Sequence, residues 1–374
     1  MDDGVINFDS MASSDIRSEV VDVMLKYMDD VCVHPNSLNN MGIKSKLIIQ
    51  DSLNIISLSI GANDVNEIFV TNGGTDGNHK AFELLTDKKE DYCIFYSAVE
   101  HPSVIYWIKR FCKKSVEIPV LSNGLLNLQQ LENQLSQVSC IKIISVQLVN
   151  SDIGVIQPIK EISELASKHG AKLMVDACAA WGRTKFKVST LGADIVTLSS
   201  WKVGGPRSIG ILWQKGARSD SNGLPWHTVH GGMVDIASLV GMAKAASIVA
   251  SNFNKSTESQ KATFTRLISM LKNIDGLKVV ADSNLASGIV GVILPEDIPV
   301  SRFVSLLYDS CGIVIGYGSI EECSNENKTV IKMGLTKSES KRFIRIVAPV
   351  GSLTCENIFS QIQACLNSAK ISIL

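Results

Sequence analysis

From about residue 64 to 215 the chain alternates short β-branched runs with stretches of helical spacing, a rhythm that few architectures can satisfy. The runs are Glu67-Ile68-Phe69-Val70-Thr71, Tyr92-Cys93-Ile94-Phe95, Ile141 to Val146, Leu173-Met174-Val175 and Asp194-Ile195-Val196-Thr197. Strands separated by helices predict a mostly parallel α/β sheet, because parallel neighbours need a crossover between them. Pro158 to His169 is such a crossover: Ile159, Ile162, Leu165 and Ala166 recur at helical spacing, and Gly170 closes it as a C-cap would. Ser208 to Trp213 predicts a returning strand, and Ile236 to Phe253 a long Ala/Val/Met-rich helix leading to a second region.

A chain of 374 residues exceeds the usual size of one core. The expectation is a large domain over 1–250, whose N-terminal segment can pack on the other domain, and a smaller α+β C-terminal domain over 251–374. Within the latter the pattern predicts a helix over about 258–273, strands near 276–280 and 288–294, a helix near 299–309 and a terminal helix from about 354. The balance of 36 Lys+Arg against 37 Asp+Glu, with no block of like charge, leaves no electrostatic footprint for nucleic acid or an anionic membrane. Nine cysteines are scattered without a CxxC pair, which argues against a disulfide framework and against a metal site. The acidic start Met1-Asp2-Asp3-Gly4 and the absence of a long apolar run predict a cytoplasmic protein acting on a small molecule.

The chemistry concentrates at strand ends. Lys202 lies in Leu198-Ser199-Ser200-Trp201-Lys202-Val203-Gly204-Gly205-Pro206, directly after one apolar run, and Asp176 ends another. In open α/β sheets ligands sit outside the carboxyl ends of the strands. An amine able to form a Schiff base, with an anion to hold a ring nitrogen protonated, is the pair that pyridoxal 5'-phosphate requires. Taken singly, Lys202 also reads as a solvated loop lysine and Asp176 as a strand-end cap.

Thr71-Asn72-Gly73-Gly74-Thr75-Asp76-Gly77-Asn78 follows a strand and opens a helix, so backbone N–H groups would face a phosphate, with the Thr75 hydroxyl as a further donor. Alone it reads equally as an ordinary turn. His101, just past another strand, can stack on a pyridine ring and move protons near neutral pH, or simply cap a helix.

These motifs, in this order, resemble the cysteine desulfurases and related selenocysteine lyases of the class V aminotransferase family, which are pyridoxal-phosphate enzymes of fold type I. Asn7 to Ser14 is similar to the family's opening strand and turn, and His34-Pro35-Asn36-Ser37 with Gly42 to its Asn-Pro-x-Ser loop. Gly73-Gly74-Thr75-Asp76 resembles its Gly-Ala-Thr-Glu cradle, and Glu100-His101 its Glu-His pair. Val149 to Gly154, Val175-Asp176-Ala177 and Ser199-Ser200-Trp201-Lys202 with Gly205-Pro206 resemble its remaining blocks. The resemblance implies Lys202 as the Schiff-base lysine, Asp176 as the ring-nitrogen partner and His101 as the stacking acid–base group. It also implies Gly74, Thr75 and Ser199 as phosphate ligands, Ser151 as a cofactor contact, and Arg345 with Asn36 as substrate ligands. Read from its own surroundings, an arginine in Phe343-Ile344-Arg345-Ile346 is as readily a structural ion pair.

The pattern also breaks. Ser319 stands where the family's sulfur-accepting cysteine falls, and a hydroxyl cannot replace a thiolate there. Cys323, four residues on, is a substitute acceptor, although Glu321 and Glu322 beside it would raise its pKa. Ala179 replaces a glutamine, Ser151 an asparagine and Trp201 a histidine, and after Gly232 the chain lacks the family's Arg-Ser-Gly-Thr segment. The implied function is a homodimeric enzyme that takes sulfur from L-cysteine, giving alanine and sulfur or a persulfide for an acceptor protein. The alternatives are a class V aminotransferase or C–S lyase on a small amino acid, and a non-catalytic paralogue serving as a scaffold.

Overall fold

The computed structural model describes residues 5–29, 33–86, 90–217, 232–318, 326–350 and 355–371. β1 (Ile6–Phe8), α1 (Ser18–Asp29) and α2 (Asn40–Ile60) come first. The alternating region follows: β2 (Ile68–Thr71), α3 (Gly74–Leu85), β3 (Tyr92–Ser97), α4 (Pro102–Phe111), β4 (Lys114–Ile118), α5 (Leu128–Ser136), β5 (Ile141–Gln147), α6 (Ile159–Lys168), β6 (Lys172–Asp176), β7 (Ile195–Ser199) and β8 (Gly210–Gln214). Its strands form one seven-stranded sheet in the order β2-β8-β7-β6-β5-β3-β4. The run from β7 to β4 is parallel, and β8 lies antiparallel between β7 and β2.

This sheet is buried on both faces, which is why its central strands read as continuous apolar runs rather than as alternation. Ile144, Val146, Leu173, Val175, Val196 and Leu198 point into one core with α2 and the α7 helix described below, whereas Ile94, Ile143, Met174, Ile195 and Leu212 point into another under α3 and α4. Each such aliphatic side chain contributes about 1.5–3 kcal/mol on leaving water. β4 was not legible in this way: it is an edge strand whose Lys114, Ser115 and Glu117 are exposed, so its sequence carries no apolar signal.

Beyond the sheet, α7 (Ile236–Lys272) leads to β9 (Lys278–Val279), β10 (Ile289–Ile293), α8 (Val300–Cys311), β11 (Ile313–Tyr317), α9 (Lys328–Lys332), α10 (Lys337–Lys341), β12 (Phe343–Val347) and α11 (Cys355–Ile371). These strands and β1 form a second sheet, β1-β11-β12-β10-β9. β1 pairs parallel with β11, so the N-terminal strand is a member of the sheet made by the C-terminal third. The expected break between helices at 253 and 258 does not occur. α7 is one helix of 37 residues, because no proline or glycine interrupts it after Gly241. Residue 250 therefore lies inside a helix that places Leu239, Met242 and Ala246 in the core of the first sheet and Phe264, Leu267 and Leu271 in that of the second.

Candidate active site

The carboxyl ends of β2, β3, β5, β6 and β7 converge. Gly210, at the start of β8, sits opposite both Thr71 and Ser199, and a Cβ there would fall 2.5 Å from the Leu198 carbonyl and 3.0 Å from Gly73. Its missing side chain lets the β2–α3 turn and the end of β7 close on one another. A cleft of about 120 Å³ opens above them, lined by Gly74, Thr75, His101, Ser151, Asp176, Ser199 and Lys202 together with Asn78, Ser103 and Cys178. Every cofactor-contacting residue expected from the sequence is on that wall.

The turn is built for an anion. Gly73 holds φ at 98°, open to glycine, and the Thr71 hydroxyl donates to the Gly73 carbonyl at 3.0 Å. Gly74 begins α3, whose first N–H groups carry the positive end of the helix dipole. A Cβ on Gly74 would meet the Cys178 sulfur at 2.6 Å, so a side chain here requires the Cys178 thiol to turn aside. The Ser199 hydroxyl, 2% exposed, has no hydrogen-bond partner among the described residues although it lines the cleft. A buried donor without a partner costs about 1–3 kcal/mol, and a phosphate oxygen is the group that would satisfy it. The residues present thus fit the pyridoxal phosphate that Lys202 and Asp176 imply.

Asp176 is anchored twice: Oδ1 accepts from the Cys178 N–H at 2.9 Å and Oδ2 from Asn78 Nδ2 at 3.0 Å. Asn78 also donates to Ser103 Oγ at 3.1 Å, and its own Oδ1 accepts from Thr197 Oγ1 at 2.7 Å. Ser103 Oγ lies 2.7 Å from His101 Nδ1. A continuous polar chain, Asp176–Asn78–Ser103–His101, therefore joins the expected ring-nitrogen partner to the expected acid–base group. His101 is also the N-cap of α4, accepting at Nδ1 from the Ser103 N–H at 3.2 Å, so capping and site roles coincide. With Nδ1 an acceptor, the neutral ring carries its proton on Nε2. Sequence reasoning missed Asn78 and Ser103. Asn78 lies one turn after Gly74, on the helix face turned towards Asp176 and Thr197, and nothing in the sequence marks that face.

Lys202 follows β7 on a short 3-10 turn closed by Gly204 at φ 77°. Its amine donates to the Met11 carbonyl at 2.5 Å and lies 4.0 Å from the centre of the Trp201 ring. The N-terminal segment thus reaches the lysine, and Arg17 fixes the same turn through the Val203 carbonyl. Glu100, beside His101, is buried. Its Oε1 accepts from the Gln147 N–H, Oε2 has no partner among the described residues, and burial together with the nearby Asp176 charge pushes its carboxyl well above the usual range. Cys178 is half-buried against the cradle, and desolvation together with the Asp176 carboxylate pushes its thiol well up, which disfavours the thiolate.

His101, Ser151, Trp201 and Lys202 also face a larger adjoining cleft of about 420 Å³, whose far wall carries Arg345, Asp152 and Thr329. Arg345 reaches the site but is engaged: Nη1 donates to Asp152 at 2.8 Å and Nη2 to Asp9 at 2.9 Å. The ion-pair reading of the sequence is what the structure shows for this residue. Asn36 is exposed and is not among the described residues lining either cleft. Ser319, Cys323 and residues 218–231 lie outside the described residues. Ala179 is in the smaller cleft, leaving no amide where the resemblance expects one.

The profile described as "Aminotransferase class-V" matches residues 6–347. The chain belongs to that family. Class V membership makes it a pyridoxal-phosphate-dependent enzyme. Among its class V relatives, "Cysteine desulfurase IscS 1" of Archaeoglobus fulgidus is 31% identical over 72% of this chain and 72% of its own length. "Cysteine desulfurase IscS" of Methanosarcina thermophila is 28% identical over 72% of this chain and 68% of its own. The fold is that of a solved NifS-like protein from Rickettsia africae, with a TM-score of 0.82 at 23% identity, covering 97% of this chain and 99% of that one.

Proposed function

We propose that this class V enzyme binds pyridoxal phosphate through Gly74, Thr75, Ser199, Asp176 and Lys202 and removes sulfur from L-cysteine, leaving alanine. The observation that supports it best is the meeting of Lys202, Asp176, His101 and the unsatisfied Ser199 hydroxyl on one cleft, in a chain whose relatives carry desulfurase names. When bound, the cofactor supplies an electron sink for negative charge at the substrate Cα. The Asp176 carboxylate, fixed by Asn78 and Cys178, offers the anion that holds a ring nitrogen protonated. The Lys202 amine takes and returns the proton at Cα, and His101, with its proton on Nε2, exchanges protons with the substrate thiol.

The class V enzyme works in this reading as a cytoplasmic homodimer. α2 supports the dimer: Ile43, Leu47, Ile55 and Leu58 are exposed along one stripe, while Ile49, Leu53, Ile56 and Ile60 are buried on the opposite side. A helix apolar on two faces calls for a second partner. Ser319 in place of a cysteine favours a second reading, a C–S lyase that releases the sulfur species directly without a sulfur-acceptor protein. The test is an absorbance spectrum of protein with added cofactor, compared with Lys202→Ala, followed by alanine and sulfide assays on wild type and Cys323→Ser. Loss of the Lys202-dependent band and production of alanine are expected. An unchanged band in the variant refutes the assignment, and sulfide release indifferent to Cys323→Ser selects the lyase.

A further inference from the structure

Arg345 is held in a built arrangement. Its neighbours across the second sheet are both glycines, Gly291 on β10 and Gly316 on β11. A Cβ on Gly316 would fall 2.6 Å from Asp9 Oδ1 and 3.2 Å from Arg345 Nε, so the glycine makes room for the ion pair itself. Both terminal nitrogens donate to carboxylates, Nη1 to Asp152 and Nη2 to Asp9, while Nε is buried without a partner among the described residues. Asp152 is fixed from its other oxygen by the Thr329 hydroxyl at 2.7 Å. One guanidinium against two carboxylates leaves this cluster with a formal charge of −1, on the wall of the cleft that Lys202 also faces.

A guanidinium grips a carboxylate best through both arms of its fork. Here an arriving α-carboxylate brings a third negative charge to a partly buried site and meets the fork already divided. We propose that Asp152 is a specificity-determining residue that competes with the substrate's α-carboxylate for Arg345, so that free amino acids bind weakly and amines with that carboxylate masked are spared the penalty. The inference rests on the amino-acid reading of the cleft given above. Thr329 is a positioning residue in it, keeping Asp152 turned towards Arg345.

The test compares L-alanine with L-alaninamide, ligands that share the amine and differ in the carboxylate, titrated calorimetrically into the cofactor-supplied enzyme. Asp152→Asn is expected to tighten L-alanine by about tenfold or more, the size of removing one charge a few ångströms away in a partly buried site, and to change L-alaninamide by less than about twofold. Thr329→Val, which frees Asp152 to turn aside, shifts the same ratio in the same direction by a smaller factor. An unchanged ratio overturns the proposal, as does weaker L-alanine binding in Asp152→Asn, the result expected if Asp152 only steadies Arg345. If wild type binds neither ligand, Asp152→Asn must gain L-alanine or the proposal falls. The Lys202-dependent absorbance band is read in the same preparations: its absence defeats the cofactor reading, while the ratio judges Asp152 independently.

Discussion

The two ends of the reaction cleft are prepared in opposite ways. At the proposed phosphate end, Ser199 is left without a partner among the described residues, Gly74 keeps space beside the Cys178 thiol, and the N-terminus of α3 is aimed at it. At the Arg345 end the guanidinium is already spoken for by Asp9 and Asp152. A group that is bound once and kept is met by a preorganised gap, where donors point before the ligand comes. A group that must enter and leave at every turnover is met by an internal rival, which limits how tightly it is held.

The most damaging change to the first end is Lys202→Ala. Without the amine no covalent attachment forms, so the cofactor absorbance band and turnover should both disappear in a spectrophotometric assay. Gly74→Val comes next: its side chain would collide with Cys178 and fill the cradle, lowering cofactor affinity by about a hundredfold or more in a fluorescence titration while the fold persists, because the clash is local. Affinity within about twofold of wild type would show that the phosphate sits elsewhere.

Asn78→Ala probes the polar chain that runs from Asp176 through Ser103 to His101. It removes the bond to Asp176 and the bond to Ser103 behind His101 and leaves Thr197 unsatisfied, which should cost about 1–3 kcal/mol in denaturant unfolding and flatten the pH profile of turnover. Asn78→Asp restores the shape but sets an anion beside Asp176, and should recover little.

The smallest effect expected is a pH effect at Glu100. Its carboxyl is raised in the fold, so the folded state keeps a proton that the unfolded chain gives up, and the stability of wild type falls as pH rises above the ordinary glutamate value. Glu100→Gln removes that dependence. The melting temperature of the variant should exceed that of wild type near neutral pH, with the gap closing towards pH 4. A constant gap across that range would mean Glu100 is ionised in the fold.

Much of the first end could be read from the sequence. Glycines, a lysine and an aspartate directly after β-branched runs place themselves at strand tips, since the pattern that makes the strand also says where it stops. Asn78 could not be read so, because a polar residue within a helix has no mark that separates a solvated position from one turned to Asp176. The state of Arg345 was equally hidden: Asp9 and Asp152 are far from it in the chain and meet it only through β1 joining β11 and the loop after β5 reaching β12. β4 escaped because an edge strand with charged side chains has no apolar signature, and the continuity of α7 because its polar middle looks like a linker until nothing is found to break it.

That continuity has a mechanical meaning. A rod rooted at one end among Leu239 and Met242 and at the other among Leu267 and Leu271 transmits a push without absorbing it. The N-terminal segment is a separate connection between the sheets: it joins the second one through β1, and its Met11 carbonyl accepts from the Lys202 amine beside the first.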